Sequence, residues 1–236
     1  MAANSIYNSG QITLEHKAGD LTLLASYTLA KGLDNSSAFN DLVNFQNPRL
    51  SRGLSDTDVH HNFVFSYVWA IPFDRAFRGG PKRLTQGWQL QGITHFATGF
   101  PIQMQQSVGD ASLAGSSSTD MPDLVGPIHI HNPRNSSSNT YFDQSAFALN
   151  TTLGTFGTAN RRFFHGPGIN NFDMGVTKRI PITEATAFEF RGEFFNIFNH
   201  TQFANPSGDI NSGSFGEANS VRNFGRIGQV SLKFVW

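Results

Sequence analysis

The chain finishes on Gly228-Gln229-Val230-Ser231-Leu232-Lys233-Phe234-Val235-Trp236. Side chains of an extended strand alternate between its faces, so Val230, Leu232, Phe234 and Trp236 share one face. Gln229, Ser231 and Lys233 share the other, with Val235. The same period recurs upstream. Phe63, Phe65, Tyr67, Trp69 and Ile71 oppose Asn62, Val64, Ser66 and Val68. Phe188, Phe190 and Phe194 oppose Glu189, Arg191 and Glu193. Leu21, Leu23, Ala25, Tyr27 and Leu29 oppose Thr22, Ser26 and Thr28, with Leu24 as an exception. Weaker alternation surrounds Ile12–Leu14, Trp88–Phe96 and Phe172–Val176. Seven strands are expected, at about 6–17, 21–31, 58–71, 87–99, 169–180, 186–198 and 226–236. Most approach the roughly 9–11 residues that a tilted strand needs to cross a bilayer.

The connections alternate in length. Ala18-Gly19-Asp20 and Ile180–Glu184 are tight turns, and Pro72–Gln86 is a medium connection rich in Pro, Gly and Arg. Between them lie long connections at about 32–57, 100–168 and 199–225, which carry most of the Asn, Ser, Gly and Pro. A soluble sandwich has no need of this alternation. A transmembrane barrel does, with short turns toward the periplasm and long loops outside. If the last strand ends in the periplasm, every long connection falls on the external side. The stretch 100–168 is too long for an ordinary connection and reads as a large external loop. Small local elements are expected in it around Ile128–Ile130 and Tyr141–Phe147.

Composition agrees with strands that are apolar on one face and polar on the other. Lys plus Arg and Asp plus Glu are each 17, and charged residues make up 14%, against roughly 25% in soluble chains. Gly and Phe each number 23. A chain without net basic charge is a poor nucleic-acid binder. The absence of cysteine removes disulfides, thiol nucleophiles and thiolate metal sites. No apolar run is long enough for a membrane-spanning helix. Met1-Ala2-Ala3-Asn4-Ser5-Ile6 lacks the basic and apolar regions of a signal peptide, so the chain is expected to be a piece of a longer one.

An aromatic last residue preceded by alternating apolar positions resembles the signal read by the barrel-assembly machinery, which would recognise it by strand addition. Further segments resemble the C-terminal barrel of TonB-dependent receptors, most of all the Oar-like subgroup. They are Leu24-Ala25-Ser26-Tyr27-Thr28-Leu29-Ala30-Lys31, Asn47-Pro48-Arg49, Asp58-Val59-His60-His61-Asn62-Phe63, Gly87-Trp88-Gln89-Leu90, Thr98-Gly99-Phe100-Pro101 and Arg191-Gly192-Glu193-Phe194-Phe195-Asn196-Ile197-Phe198-Asn199-His200. The resemblance implies residues 1–236 as the C-terminal portion of a larger, plugged barrel in the cell outer membrane. It implies outer-membrane lipid, the assembly machinery, the plug and remaining strands, and through them the TonB energy-transducing complex as partners. About seven strands would not close that barrel, so a fragment that does not transport alone is expected.

Other motifs carry little chemistry. Asp56, Asp58, His60 and His61, and the pair His129 and His131, could be offered as metal ligands. Loop polarity near a strand start explains them more simply. No Gly-x-Ser-x-Gly elbow accompanies the Ser, His and Asp residues. Glu189 and Glu193 flank Arg191 as a luminal ion-pair row rather than a catalytic carboxylate pair. Gly166-Pro167-Gly168 lacks the Lys-Ser/Thr of a phosphate loop. Arg161-Arg162-Phe163-Phe164-His165 could touch sugar, lipopolysaccharide or nucleic acid, but an external-loop role at the strand entrance is the preferred reading.

The fold expected is therefore all-β: a partial antiparallel up-and-down transmembrane β-barrel, about seven strands of a larger one. No enzyme, cofactor or metal is expected. The residues singled out are the lipid-facing Phe63, Phe65, Tyr67, Trp69, Phe188, Phe190 and Phe194, and the terminal Val230, Leu232, Phe234 and Trp236. The rival expectations are a secreted carbohydrate-binding β-sandwich and a small self-assembling pore.

Overall fold

The computed structural model describes residues 4–38, 41, 44, 47–113 and 120–236. Seven long strands form one antiparallel sheet: β1 (Ser5–Ala18), β2 (Leu21–Asp34), β4 (His61–Ile71), β5 (Trp88–Ala97), β8 (Ile169–Pro181), β9 (Ala187–Phe195) and β10 (Ile227–Val235). They pair in chain order, each with the next. Three short strands serve the connections. β3 (Gly53–Leu54) pairs with the end of β2, and β6 (Asp123–Leu124) pairs with β7 (Phe147–Ala148). The sheet is not closed: among the described residues nothing pairs with the outer edge of β1 or β10.

All three long connections leave from one rim and all three shorter ones from the other, as the alternation of lengths requires. Gly19, at φ 56°, supplies the left-handed step that lets β1 turn straight into β2. The connection from β4 to β5 contains two single-turn helices that its Pro and Gly content did not announce, α1 (Phe73–Ala76) and α2 (Lys82–Thr85).

The strand ends differ from expectation where side chains cap the backbone. β9 stops at Phe195 rather than near 198, because Asn196 and Asn199 take φ of 50° and 53°. Asn tolerates that conformation by bonding its own neighbourhood. The Asn196 side chain accepts from His200 N–H and donates to the His200 carbonyl, each at 2.9 Å. β4 starts at His61 rather than 58, because Asp58 turns inward and accepts from the Gly32 N–H.

The buried hydrophobic cluster does not lie against the sheet. It lies in the long connections, centred on the fully buried Phe142, with Ile102, Met104, Phe147 and Phe215 around it. Residues 100–113, 120–168 and 199–225 thus fold together into a cap on one rim.

Candidate functional site

The pairing register sorts the side chains of the wall into two faces. Ile12 pairs with Tyr27, Tyr27 with Phe63, Phe63 with Phe96, Phe96 with Asn170, Val176 with Gly192 and Gly192 with Val230. Directly paired residues point the same way. One face therefore carries Phe63, Phe65, Tyr67 and Trp69 on β4. It also carries Phe188, Phe190 and Phe194 on β9, and Val230, Leu232 and Phe234 on β10. Trp236 follows just beyond β10, with its ring stacked 5.9 Å from that of Phe234. No layer covers this face among the described residues. Val230 and Leu232 remain 73% and 69% exposed, and Phe190 and Phe194 about half exposed. Two glycines on this face are spaces that rings fill. A Cβ at Gly92 would lie 2.6 Å from Tyr67 Oη, and one at Gly228 2.9 Å from the Phe194 ring.

The opposite face is polar. His95 Nε2 and Asn62 Oδ1 lie 2.9 Å apart. Arg191 reaches Glu189 at 3.1 Å and Glu193 at 3.7 Å, and Gln229 donates to Glu193 at 2.7 Å. The ion-pair row expected of Glu189, Arg191 and Glu193 is present, in cross-strand register with Gln229 and Lys233. Leu24, the exception to its strand's alternation, does sit on this polar side.

An apolar face left open and a polar face opposite invert the arrangement of a soluble protein, as a membrane wall requires. A family model described as an outer membrane beta barrel domain matches residues 1–229. The chain belongs to this outer membrane beta barrel family. Its strands are transmembrane strands, and its location is the outer membrane. No curated protein and no solved structure matches the chain.

The cap of this barrel domain is fixed by buried ions. Arg161 is fully buried; its Nε donates to the Ser51 carbonyl at 2.8 Å and one terminal nitrogen to Asp41 at 2.5 Å. The other terminal nitrogen binds the side chain and carbonyl of Asp34, the last residue of β2. Arg162 forks onto the same Asp41 at 3.0 and 3.1 Å. Burial pushes the Asp41 carboxyl upward. The hydrogen bonds from Arg162 and the Ser37 N–H, with the charges of both arginines, outweigh it and hold the group below the usual carboxylate range. His165 Nε2 lies 2.7 Å from Asp58, and the Tyr141 hydroxyl donates to the His165 carbonyl at 2.9 Å. Burial pushes the Tyr141 phenol up to about 12, so it stays a donor. The pair ties the long connection that carries His165 to Asp58, just ahead of β4.

The stretch from Arg161 to His165, for which an external-loop role at the strand entrance is expected, lies in the cap just ahead of β8. Both arginines are consumed by carboxylates inside the cap. Of the four residues weighed as one metal group, Asp58 accepts from Gly32 and His165, and His60 Nδ1 lies 2.8 Å from the Ala30 carbonyl. His61 Nδ1 lies 2.8 Å from the Tyr27 hydroxyl, and Asp56 is exposed. His131 bonds Asp143 at 2.5 Å. The residues expected around Ile128–Ile130 and Tyr141–Phe147 do form local structure, with Ile130 bridging to Phe142. Sequence reasoning missed the ion hub, since its members are far apart in the chain.

The cap also leaves a recess of about 400 Å³ lined by Asp56, Phe100, Gln103, Gln105, Arg162 and Asp209. Among the described residues the buried Gln103 Oε1 has no hydrogen-bond partner.

Proposed function

We propose that this barrel domain is part of the wall of a TonB-dependent receptor, of the Oar-like kind, and that it has no enzymatic role. In the whole receptor the wall surrounds a plug that admits a scarce or large nutrient. The long-connection rim faces outside, and the terminal strand ends in the periplasm. Recognition would fall to the external cap together with the plug.

The observation that carries this reading is the direction of the two free edges. β1 starts opposite Asp34 at the long-connection rim and runs to the other rim, and β10 runs the same way. Antiparallel closure needs an even number of strands, so these seven need an odd number more. Identical copies arranged around the membrane normal would set β10 beside β1 in parallel. That favours completion by other polypeptide over a small pore built of this chain alone. The uncovered apolar face weighs against a soluble sandwich, in which a second sheet would cover it. The resembling segments between Leu24 and His200 support the receptor family.

An antibody against residues 100–168, applied to fractionated native cells, tests this. A band far heavier than 25.9 kDa in the outer membrane is expected. A band at the chain's own mass there would revive the small pore, and a soluble band would overturn the reading.

Val230, Leu232, Phe234 and Trp236 are the strand that the assembly machinery would read. Trp236→Asp is expected to lower the outer-membrane yield while leaving synthesis intact; an unchanged yield would remove that role.

A further inference from the structure

We propose that the connection between β4 and β5 is an interfacial foot that binds anionic phospholipid headgroups; this rests on the open apolar face being lipid-facing. The foot folds back on that face. The Trp88 indole N–H, from the apolar side of β5, donates to the Leu84 carbonyl at 2.7 Å. The Phe73 ring meets the Trp88 ring edge-on at 6.2 Å, and Phe77 packs on Phe73 at 6.3 Å. Lys178, paired with Trp88 and on the same face, donates to the Leu84 carbonyl at 3.1 Å and holds its ammonium 5.0 Å from the indole centroid. The outcome is an aromatic and aliphatic patch in which Phe77 and Leu84 are 62% and 67% exposed, at the end of the membrane-facing stripe.

Charge surrounds this patch. Arg75, Arg78, Lys82 and Arg83 lie in the connection against one acid, Asp74, although the whole chain is neutral. Arg75 pairs with Asp20 at 2.9 Å, and Asp74 accepts from Gln86 at 3.2 Å. Arg78, Lys82 and Arg83 are exposed, and among the described residues none of them has a carboxylate partner within ion-pair distance. Glu184 and Arg179 share a cleft with Lys82 and Arg83, and their opposite charges offset one another. Neither hydrocarbon nor bulk water suits such a segment. The headgroup level suits both halves: the rings meet acyl chains and the cations meet phosphate. A net anionic lipid is favoured, because each basic residue near such a surface adds attraction that zwitterionic lipid does not supply.

The absence of cysteine permits clean single-site labelling of the full chain. Gly79 has open space where a Cβ would stand, so Gly79→Cys can carry a donor fluorophore. Leu90→Cys, on the apolar face of β5, can carry a second label in a separate sample. Both are reconstituted in phosphatidylcholine vesicles containing a minority of phosphatidylglycerol. Energy transfer from position 79 to headgroup-labelled phosphatidylglycerol, relative to phosphatidylcholine, reports local enrichment. An enrichment of about fivefold is expected, falling close to parity in Arg78→Gln/Lys82→Gln/Arg83→Gln. Quenching of the label at position 90 by chain-labelled lipid reports whether the wall is in the bilayer. Quenching there without enrichment at position 79, or with enrichment that survives the triple change, overturns the foot and leaves the wall. No quenching at position 90 overturns both.

Discussion

Arg161→Leu is expected to open the cap while the wall strands stay paired, at a cost of about 3–5 kcal/mol. Asp34 is 4% exposed, and its carboxylate would lose the guanidinium that compensates it. Asp41 would keep Arg162 but lose its 2.5 Å contact. Leucine fills much of the volume yet neutralises nothing, and breaking one partner of a buried network costs more than the network contributes net. Limited proteolysis within 100–168, read beside amide exchange of β4 and β5, checks this. Faster cleavage with unchanged strand protection is the expected result. Equal cleavage rates would mean that the Phe142 cluster alone holds the cap. Acid should approach the same end. A carboxyl held below its ordinary value contributes stability that is complete above the unfolded value of 3.8 and is lost as pH falls through the lower folded value. Cap opening in the native chain should therefore begin only below about that ordinary value.

Phe65→Lys is expected to cost about 2–4 kcal/mol of folding into a bilayer, the penalty for a cation near the middle of a lipid-facing strand. Phe65 lies midway along β4, between Ala25 and Thr94 on the apolar face. Ser66, the next residue, points to the polar face, so Ser66→Lys should change stability little. The pair of variants shares strand, depth and charge and differs only in face. Denaturant titration of refolding into vesicles measures both. A similar loss in the two would mean that the assignment of faces is wrong.

Much of the wall was legible in the chain because its information is local. Period-two alternation placed seven strands within a few residues of where they lie. The length of each connection then assigned it to a rim. The miss at β9 was local in another way: Asn196 and Asn199 take left-handed backbone and bond His200, which a pattern of Phe194, Phe195 and Phe198 hides. The cap was not legible. Asp34 and Arg161 are 127 positions apart, and its segments meet mostly through isolated bridges such as Gln105 with Asp209 and Thr140 with Glu217. Residues 100–168 therefore read as a large external loop, and Arg161–His165 as a part of it at the strand entrance.

The sequence by itself determined that this protein is an antiparallel strand wall with one apolar face, since alternation and turn chemistry act between near neighbours. Only the tertiary structure decided that the long connections share a buried core, that two arginines are spent inside it, and that the basic foot lies on the apolar side. Those outcomes depend on which distant groups meet and shed water together, and no spacing along the chain encodes that.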